Sequence, residues 1–277
     1  HFEEGLVRTV SDFGVRGDAP SHPDLLEWLT RDFIANGWSL KRLHRQILTS
    51  ATYGLGPAPA DSRARAVDPS NRWLSFRSPR RLEAEVIRDA MLAASGTLNL
   101  EPYGPPFKPQ IAGEAMVARN LKSAYPKEVK DSADVRRRTI YMFHKRVIPY
   151  PLLQAFDRPD SLQSCGRRET TTVAPQALAL LNDDFVRARA LDFATRLLQE
   201  TGGGELDLNR IAQRGFELAL SRTPDRDEQA AAVEFLAQQL AARKQRASKA
   251  STGTIRRQAV ADFCQGLFGL NEFAYVD

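Results

Sequence analysis

No run of about 18 or more apolar residues occurs in this chain, so no part of it is expected to cross a membrane as a helix. Histidine and cysteine are scarce, and their spacing is wrong for metal. The four histidines, His1, His22, His44 and His144, form no HExxH and no i, i+4 pair. Cys165 and Cys264 make neither CxxC nor CxxCH, so neither a zinc site nor an attached haem is encoded here. Walker A, GxGxxG and GxSxG are missing too, which leaves phosphate-loop, dinucleotide and nucleophile-elbow chemistry without a motif. Charge of one sign is not in large excess: 39 basic against 34 acidic residues leave a net +5. The basic residues come in short scattered clusters, among them Arg136-Arg137-Arg138 and Arg256-Arg257. They read as solvated helix faces and ion-pair partners, and no nucleic-acid partner is expected. The first residue is His1 and no signal peptide is recognisable, so the chain reads as a piece of a longer polypeptide.

What is present suits a globular, mostly helical protein. The 277 residues are 42% apolar, enough for a sizeable core. The first twenty residues have no helical period and read as an extended arm, with Arg8 and Asp12 a candidate ion pair. Ser21 and Pro23 then signal a helix start, with Leu25, Leu26, Leu29, Phe33 and Ile34 at helical spacing and Asn36-Gly37 as its stop. Ser39 caps a second helix whose buried side is expected to carry Leu40, Leu43 and Ile47. Residues 54–72 read as a loop. A helix is expected over Arg80–Ser95, with Leu82, Val86, Ala90 and Ala94 in register and Gly96 after it. Residues 101–135 are the least regular stretch. Thr139–Phe143 is β-branched and aromatic, and predicts a strand. A long Pro-punctuated loop over 147–172 follows. Five further helices are expected: one opened by Pro175, one from Asp183 or Asp184, one marked by Leu208 and Ile211, one capped by Thr223 before Pro224, and a last one after a polar linker over Ser248–Thr254. Gly202-Gly203-Gly204 reads as a break between two of them.

The densest polar stretch runs from Asp157 to Asp183 and holds Cys165, Arg167, Arg168, three consecutive threonines and Gln176. As a pocket wall it would offer a cysteine whose thiol is activated by two arginines. As a hydrogen-bonded loop its threonines would cap the next helix, and its arginines would pair with Asp157 or Asp160. No histidine in the segment can act as its base, which favours the second reading. Both cysteines are expected to be buried and unpaired.

Several segments together resemble a known family. GLVRTVSDFG, PSHPDLLEWL, FIANGWSLKRLHRQILTSATY, DPSNRWLSFRSPRRLEAEVIRDAML, RRRTIYMFHKR, LLQAFDRPDSLQSCGRRETTTVAPQALALLND and FCQGLFGLNEFAYVD, in this order, are similar to the C-terminal domain of planctomycete-type secreted proteins known as domain of unknown function 1553. The resemblance implies an exported, extracytoplasmic, multidomain protein in which a cytochrome-c-like domain often precedes this one. Any haem would then belong to that preceding part, and this chain itself would hold no cofactor and no metal. The family brings no catalytic residues to carry over.

The expected fold is mainly α: an irregular helical domain with long Pro-rich loops and one short β-strand pair, placed near 139–148. It fills 1–277 as one domain with room for two lobes, 1–135 and 136–277. The leading functional expectation is a non-catalytic binding or assembly module that presents the arm and the Asp157–Asp183 loop to neighbouring domains of the same polypeptide. The rival is a hydrolase acting on polysaccharide, with Asp12, His22, Asp157 and Arg168 lining its cleft. A third reading, a docking domain for electron transfer with a cytochrome, follows only from the company the family keeps.

Overall fold

The structure is a computed structural model that describes residues 1–2, 4–57, 62–111, 125–126, 128–202, 206–246 and 250–276. Parts of the expected loops at 54–72 and 101–135, Gly203-Gly204 of the expected break, and residues 248–249 of the expected linker lie outside these. Among the described residues the chain is mainly α, with eleven α-helices and a single two-stranded antiparallel sheet. No described helix is long and apolar enough to cross a membrane. The chain divides into two compact units: His1–Arg81 with Cys165–Arg167 and Tyr275–Asp277, and Leu82–Ser164 with Arg168–Ala274.

In the first unit, α1 (Pro23–Ala35) and α2 (Leu40–Leu48) form a helical pair. α1 stops where the sequence says it should. Gly37 takes a left-handed φ of 69°, its N–H donates to the Ile34 carbonyl at 3.1 Å, and the Trp38 N–H donates to the Phe33 carbonyl at 2.9 Å. This is a Schellman stop, and the Trp38 ring lies edge-on to Phe33 at 5.3 Å, the apolar contact that accompanies it. Ser39 caps α2 by accepting from the Arg42 N–H at 3.3 Å. At the start of α1 the cap position belongs to His22, whose side chain makes no cap bond; the expected cap, Ser21, instead meets His22 Nδ1 at 2.9 Å. A short helix, α3 (Ser62–Val67), follows. Strand β1 (Arg80–Arg81) pairs antiparallel with β2 (Tyr275–Val276), Arg80 opposite Val276 and Arg81 opposite Tyr275. This unit has almost no core: among its described residues only Asp68, Phe76 and Arg81 are buried. The expected buried side of α2 is not buried, since neither α1 nor α2 buries any residue.

The second unit holds the core. It contains α4 (Ala84–Ala94), α5 (Pro151–Ala155), α6 (Ala174–Asn182), α7 (Asp184–Glu200), α8 (Leu208–Leu220), α9 (Arg226–Arg246), α10 (Thr252–Phe268) and α11 (Asn271–Ala274). α10 is central and packs on α7, α8 and α9. Seven of its residues are buried, spread round the helix rather than along one stripe, as a helix covered on several sides requires. Phe193 and Leu197 of α7 and Val260, Cys264 and Phe268 of α10 are fully buried, and Phe193 stacks on Phe268 with ring centroids 5.8 Å apart. Each such large apolar side chain contributes about 1.5–3 kcal/mol by leaving water.

Three sequence expectations are corrected here. Thr139–Phe143 is not a strand: Thr139–Tyr141 is a turn of 3-10 helix. Asp89 captures both the Thr139 N–H at 2.7 Å and its hydroxyl at 2.6 Å, and the Met142 N–H closes back on the Thr139 carbonyl at 2.9 Å. β-Propensity yields where no partner strand is in reach; Met142 makes only a single bridge, to Phe107, and Lys145 one to Ile148. The strand pair therefore lies at Arg80–Arg81 and Tyr275–Val276, not near 139–148. α4 starts at Ala84 and buries Ile87, Arg88, Met91 and Leu92; of the expected register Ala94 is buried but Val86 is exposed, so the buried face is turned from the expected one. α9 is capped by Asp225 rather than Thr223: its carboxylate accepts the Asp227 and Glu228 N–H groups at 2.9 and 2.8 Å, and Glu228 reaches back to the Asp225 N–H at 2.8 Å. This reciprocal capping box satisfies two ends of the helix start at once, which a lone threonine does not.

Candidate functional site

The first unit carries a polar pocket assembled from three segments distant in sequence. The arm supplies Glu4 and Arg8, the turn after α3 supplies Ser70 and Arg72, and Arg167 comes from the 165–167 segment. The pocket measures about 130 Å³. A second hollow of about 200 Å³ shares Arg8, Ser21 and Arg72 with it and adds Asp18.

Local hydrogen bonds hold these segments in place. The Ser21 N–H donates to the Leu6 carbonyl at 2.8 Å and closes the arm on itself. Thr9 Oγ1 donates to the Asp12 carbonyl at 3.0 Å and accepts from the Asp18 N–H at 2.9 Å. In the turn, the Asp68 carboxylate accepts the Arg72 and Trp73 N–H groups at 2.9 and 2.8 Å. The Trp73 bond first, with help from Arg72 and Arg8 against the effect of burial, holds that carboxyl below its ordinary range. Asn71 Oδ1 accepts from the Ser75 N–H at 2.9 Å and its Nδ2 donates to the Phe76 carbonyl at 2.6 Å. Those bonds stabilise left-handed backbone at Asn71 and Leu74, φ 48° and 54°, which costs a non-glycine residue about 1–2 kcal/mol. Arg8 then joins arm to turn, donating to the Ser70 carbonyl at 3.2 Å. Glu4 lies between two guanidiniums, 2.6 Å from Arg8 and 3.4 Å from Arg167. The expected partner of Arg8, Asp12, is replaced by Glu4, four residues before it rather than four after.

Of the four residues named for a hydrolase cleft, Asp12 and His22 lie in the first unit and Asp157 and Arg168 in the second. No hydrogen bond joins Asp12 to His22 among the described residues. Asp157 and Arg168 each have a structural task. Asp157 ends α5 in a left-handed conformation, φ 58°, with its own N–H on the Gln154 carbonyl at 3.3 Å and the Arg158 N–H on the Leu153 carbonyl at 3.0 Å. That is again a Schellman stop, with Asp where Gly is usual. Its carboxylate accepts both the N–H and the hydroxyl of Thr171, each at 2.8 Å, and Gln176 Nε2 donates to the Thr171 carbonyl at 3.0 Å. The 157–176 loop is thereby tied to its own ends. Arg168 donates to Glu85 at 2.6 Å and lies 3.6 Å from Glu83.

Sequence reasoning missed Glu85 and His144. Burial pushes the Glu85 carboxyl up, but Arg168 outweighs it and holds the group below its ordinary value. Partial desolvation of the His144 ring, then the charge of Arg158, hold the imidazole below its ordinary value, with Glu85 opposing them. These two groups are 59 residues apart, and no spacing rule links them. Cys165 is exposed, against expectation, and its thiol donates to the Arg167 carbonyl at 3.0 Å; Cys264 is buried, and both thiols are free. The whole stretch from Leu162 to Arg167 is exposed.

A further polar cluster is wholly interior. Arg88 is buried and donates to the carbonyls of Arg137 and Val135 at 3.2 and 2.7 Å and to the Thr139 hydroxyl at 3.1 Å, with its guanidinium over the Phe185 ring at 4.6 Å. Arg137, from the middle of the basic triplet, is buried too, donates to the Pro105 and Tyr103 carbonyls, and stacks on Tyr141 at 4.3 Å. Arginine suits this because its planar fork satisfies several backbone carbonyls of an irregular segment at once. Among the described residues no three His, Cys, Asp or Glu side chains are grouped to hold a metal ion.

A family model described as PSD1, protein of unknown function (DUF1553), matches residues 1–236. Nothing matches among the curated proteins or the solved structures.

Proposed function

The chain belongs to the PSD1 (DUF1553) family, and we propose that it is a binding or assembly module of a larger extracytoplasmic, multidomain, cytochrome-c-associated protein. Its partners in this reading are the neighbouring domains of that polypeptide, which would carry any haem. One observation carries the proposal: the first unit leaves large aromatic side chains exposed, while its described residues bury almost nothing. All three tryptophans of the chain belong to it, and Trp28, Trp38 and Trp73 are 52%, 65% and 59% exposed. Isolated exposed apolar residues are ordinary, but three tryptophans on a unit that buries almost nothing suit an interface, where tryptophan is an enriched anchor.

Tryptophan emission tests this directly, because every tryptophan reports from the same unit. Titrating the chain with the separately produced neighbouring domains should shift its emission to the blue and saturate, with co-sedimentation of the two. No shift and no co-sedimentation at about 100 μM of each, a concentration at which even a weak interface registers, would sink the proposal.

The alternative reading is a hydrolase acting on polysaccharide, for which the Arg168–Glu85 ion pair at 2.6 Å would stand beside His144 as base. It requires that His144→Ala abolish turnover of a polysaccharide by the full-length protein; a full-length protein with no such turnover removes it.

A further inference from the structure

The pocket of the first unit has chemistry of its own. Three arginines, Arg8, Arg72 and Arg167, line one small hollow although they come from three separate segments. Like charges gathered in this way need anions. Glu4 supplies one, shared between Arg8 and Arg167. Arg72 has no carboxylate on its side chain among the described residues; its backbone N–H is what Asp68 binds. Ser70, Asn71 and Ser78 also line it, and the lining is mainly polar.

We propose that this pocket binds a tetrahedral oxyanion, a phosphate or sulfate group, carried as a monoester on a small hydroxylated molecule. Guanidiniums approaching from several directions match an anion with three outward oxygens better than a planar carboxylate, which a single arginine satisfies in bidentate fashion. Ser78 in the lining adds a neutral hydroxyl. The adjoining hollow of about 200 Å³ gives the organic part a place, and Asp18 there accepts from a ligand hydroxyl. The Arg72 and Trp73 N–H groups, both bound to Asp68, fix the backbone that carries Arg72. The proposal is independent of the docking reading above, since the pocket lies within one unit and the chain alone can be tested.

Calorimetric titration of the chain with inorganic phosphate, inorganic sulfate, glucose 6-phosphate and glucose 6-sulfate, with acetate and glucose as controls, decides it. The expected result is saturable binding of at least one tetrahedral probe, the ester tighter than its free ion, weakened as salt rises. Phosphate against sulfate identifies which ester the pocket prefers. Arg72→Gln should weaken that binding about tenfold or more, the loss of one charge-assisted contact. The variant should melt within about 2 °C of the parent, because the Arg72 side chain makes no described bond that holds the fold. No saturable binding of any of the four probes below about 10 mM, equal binding by Arg72→Gln, or acetate binding as tightly as phosphate and sulfate, would each overturn the assignment.

Discussion

Asp131 shows how single residues set the acid limit of the fold. It accepts from Arg136 at 2.8 and 2.7 Å and from the buried Arg189 at 2.5 Å. The Arg136 bond, then Arg189, bring its carboxyl down to about 2 against the cost of desolvation. A carboxylate whose folded value is depressed contributes stability in full above its unfolded value of 3.8, and loses it as the pH falls from there toward 2. The side chain is 45% exposed, so solvent screening trims the contribution to about 1 kcal/mol. Asp131→Asn should therefore lower stability by about 1 kcal/mol at pH 7 in urea unfolding, with the difference from the parent gone near pH 2; a difference unchanged down to pH 2 would refute this. The two cysteines make a second test. Burial pushes the Cys264 thiol well up, while Cys165 is exposed. An aromatic disulfide reagent should label one thiol in the folded chain, at Cys165, and the second only after denaturation. The burial of Cys264 was legible from its apolar helix, whereas the exposure of Cys165 was not, since its loop has no period to read.

At the scale of elements, the crossing of α8 and α10 depends on one glycine. A Cβ at Gly215 would lie 2.7 Å from Phe263 Cε1 and 3.1 Å from Leu267 Cδ1. Both partners are buried, so neither ring nor methyl has room to withdraw. Gly215→Ala would gain up to about 1 kcal/mol of helix propensity, yet the overlap costs more, and a net loss of about 1–2 kcal/mol is expected from thermal melts. A stabilised variant would mean that the helices are not this close. The longer helices of this unit were readable where capping is local: Asp183 caps α7 by accepting the Phe185 N–H at 2.8 Å, as its place before an apolar period predicts, whereas the short α5 lies inside the expected loop over 147–172. Strand positions were not. Arg80–Arg81 and Tyr275–Val276 become a sheet only by meeting each other across nearly two hundred residues, and nothing in either dipeptide announces its partner.

At the scale of the whole chain, cohesion is unequally shared. The second unit buries a core around α10, and the first buries three of its described residues. Because all three tryptophans sit in the first unit, tryptophan emission and far-ultraviolet helicity report different parts of the chain. On heating, the emission change should precede the loss of helicity by several degrees; coincident transitions would show instead that the chain unfolds as one cooperative body. The mainly helical class, the stops at Gly37 and before Asp183, the cap at Ser39 and the family were all determined by the sequence itself, because apolar period, turn chemistry and ordered motifs act over a few residues. Tertiary structure alone decided that Arg137 and Arg88 are interior, that Glu85 receives Arg168, and that Arg8, Arg72 and Arg167 line one pocket. Those pairings join residues from 32 to 159 positions apart, where no local rule acts and only the path of the folded backbone brings charge to charge.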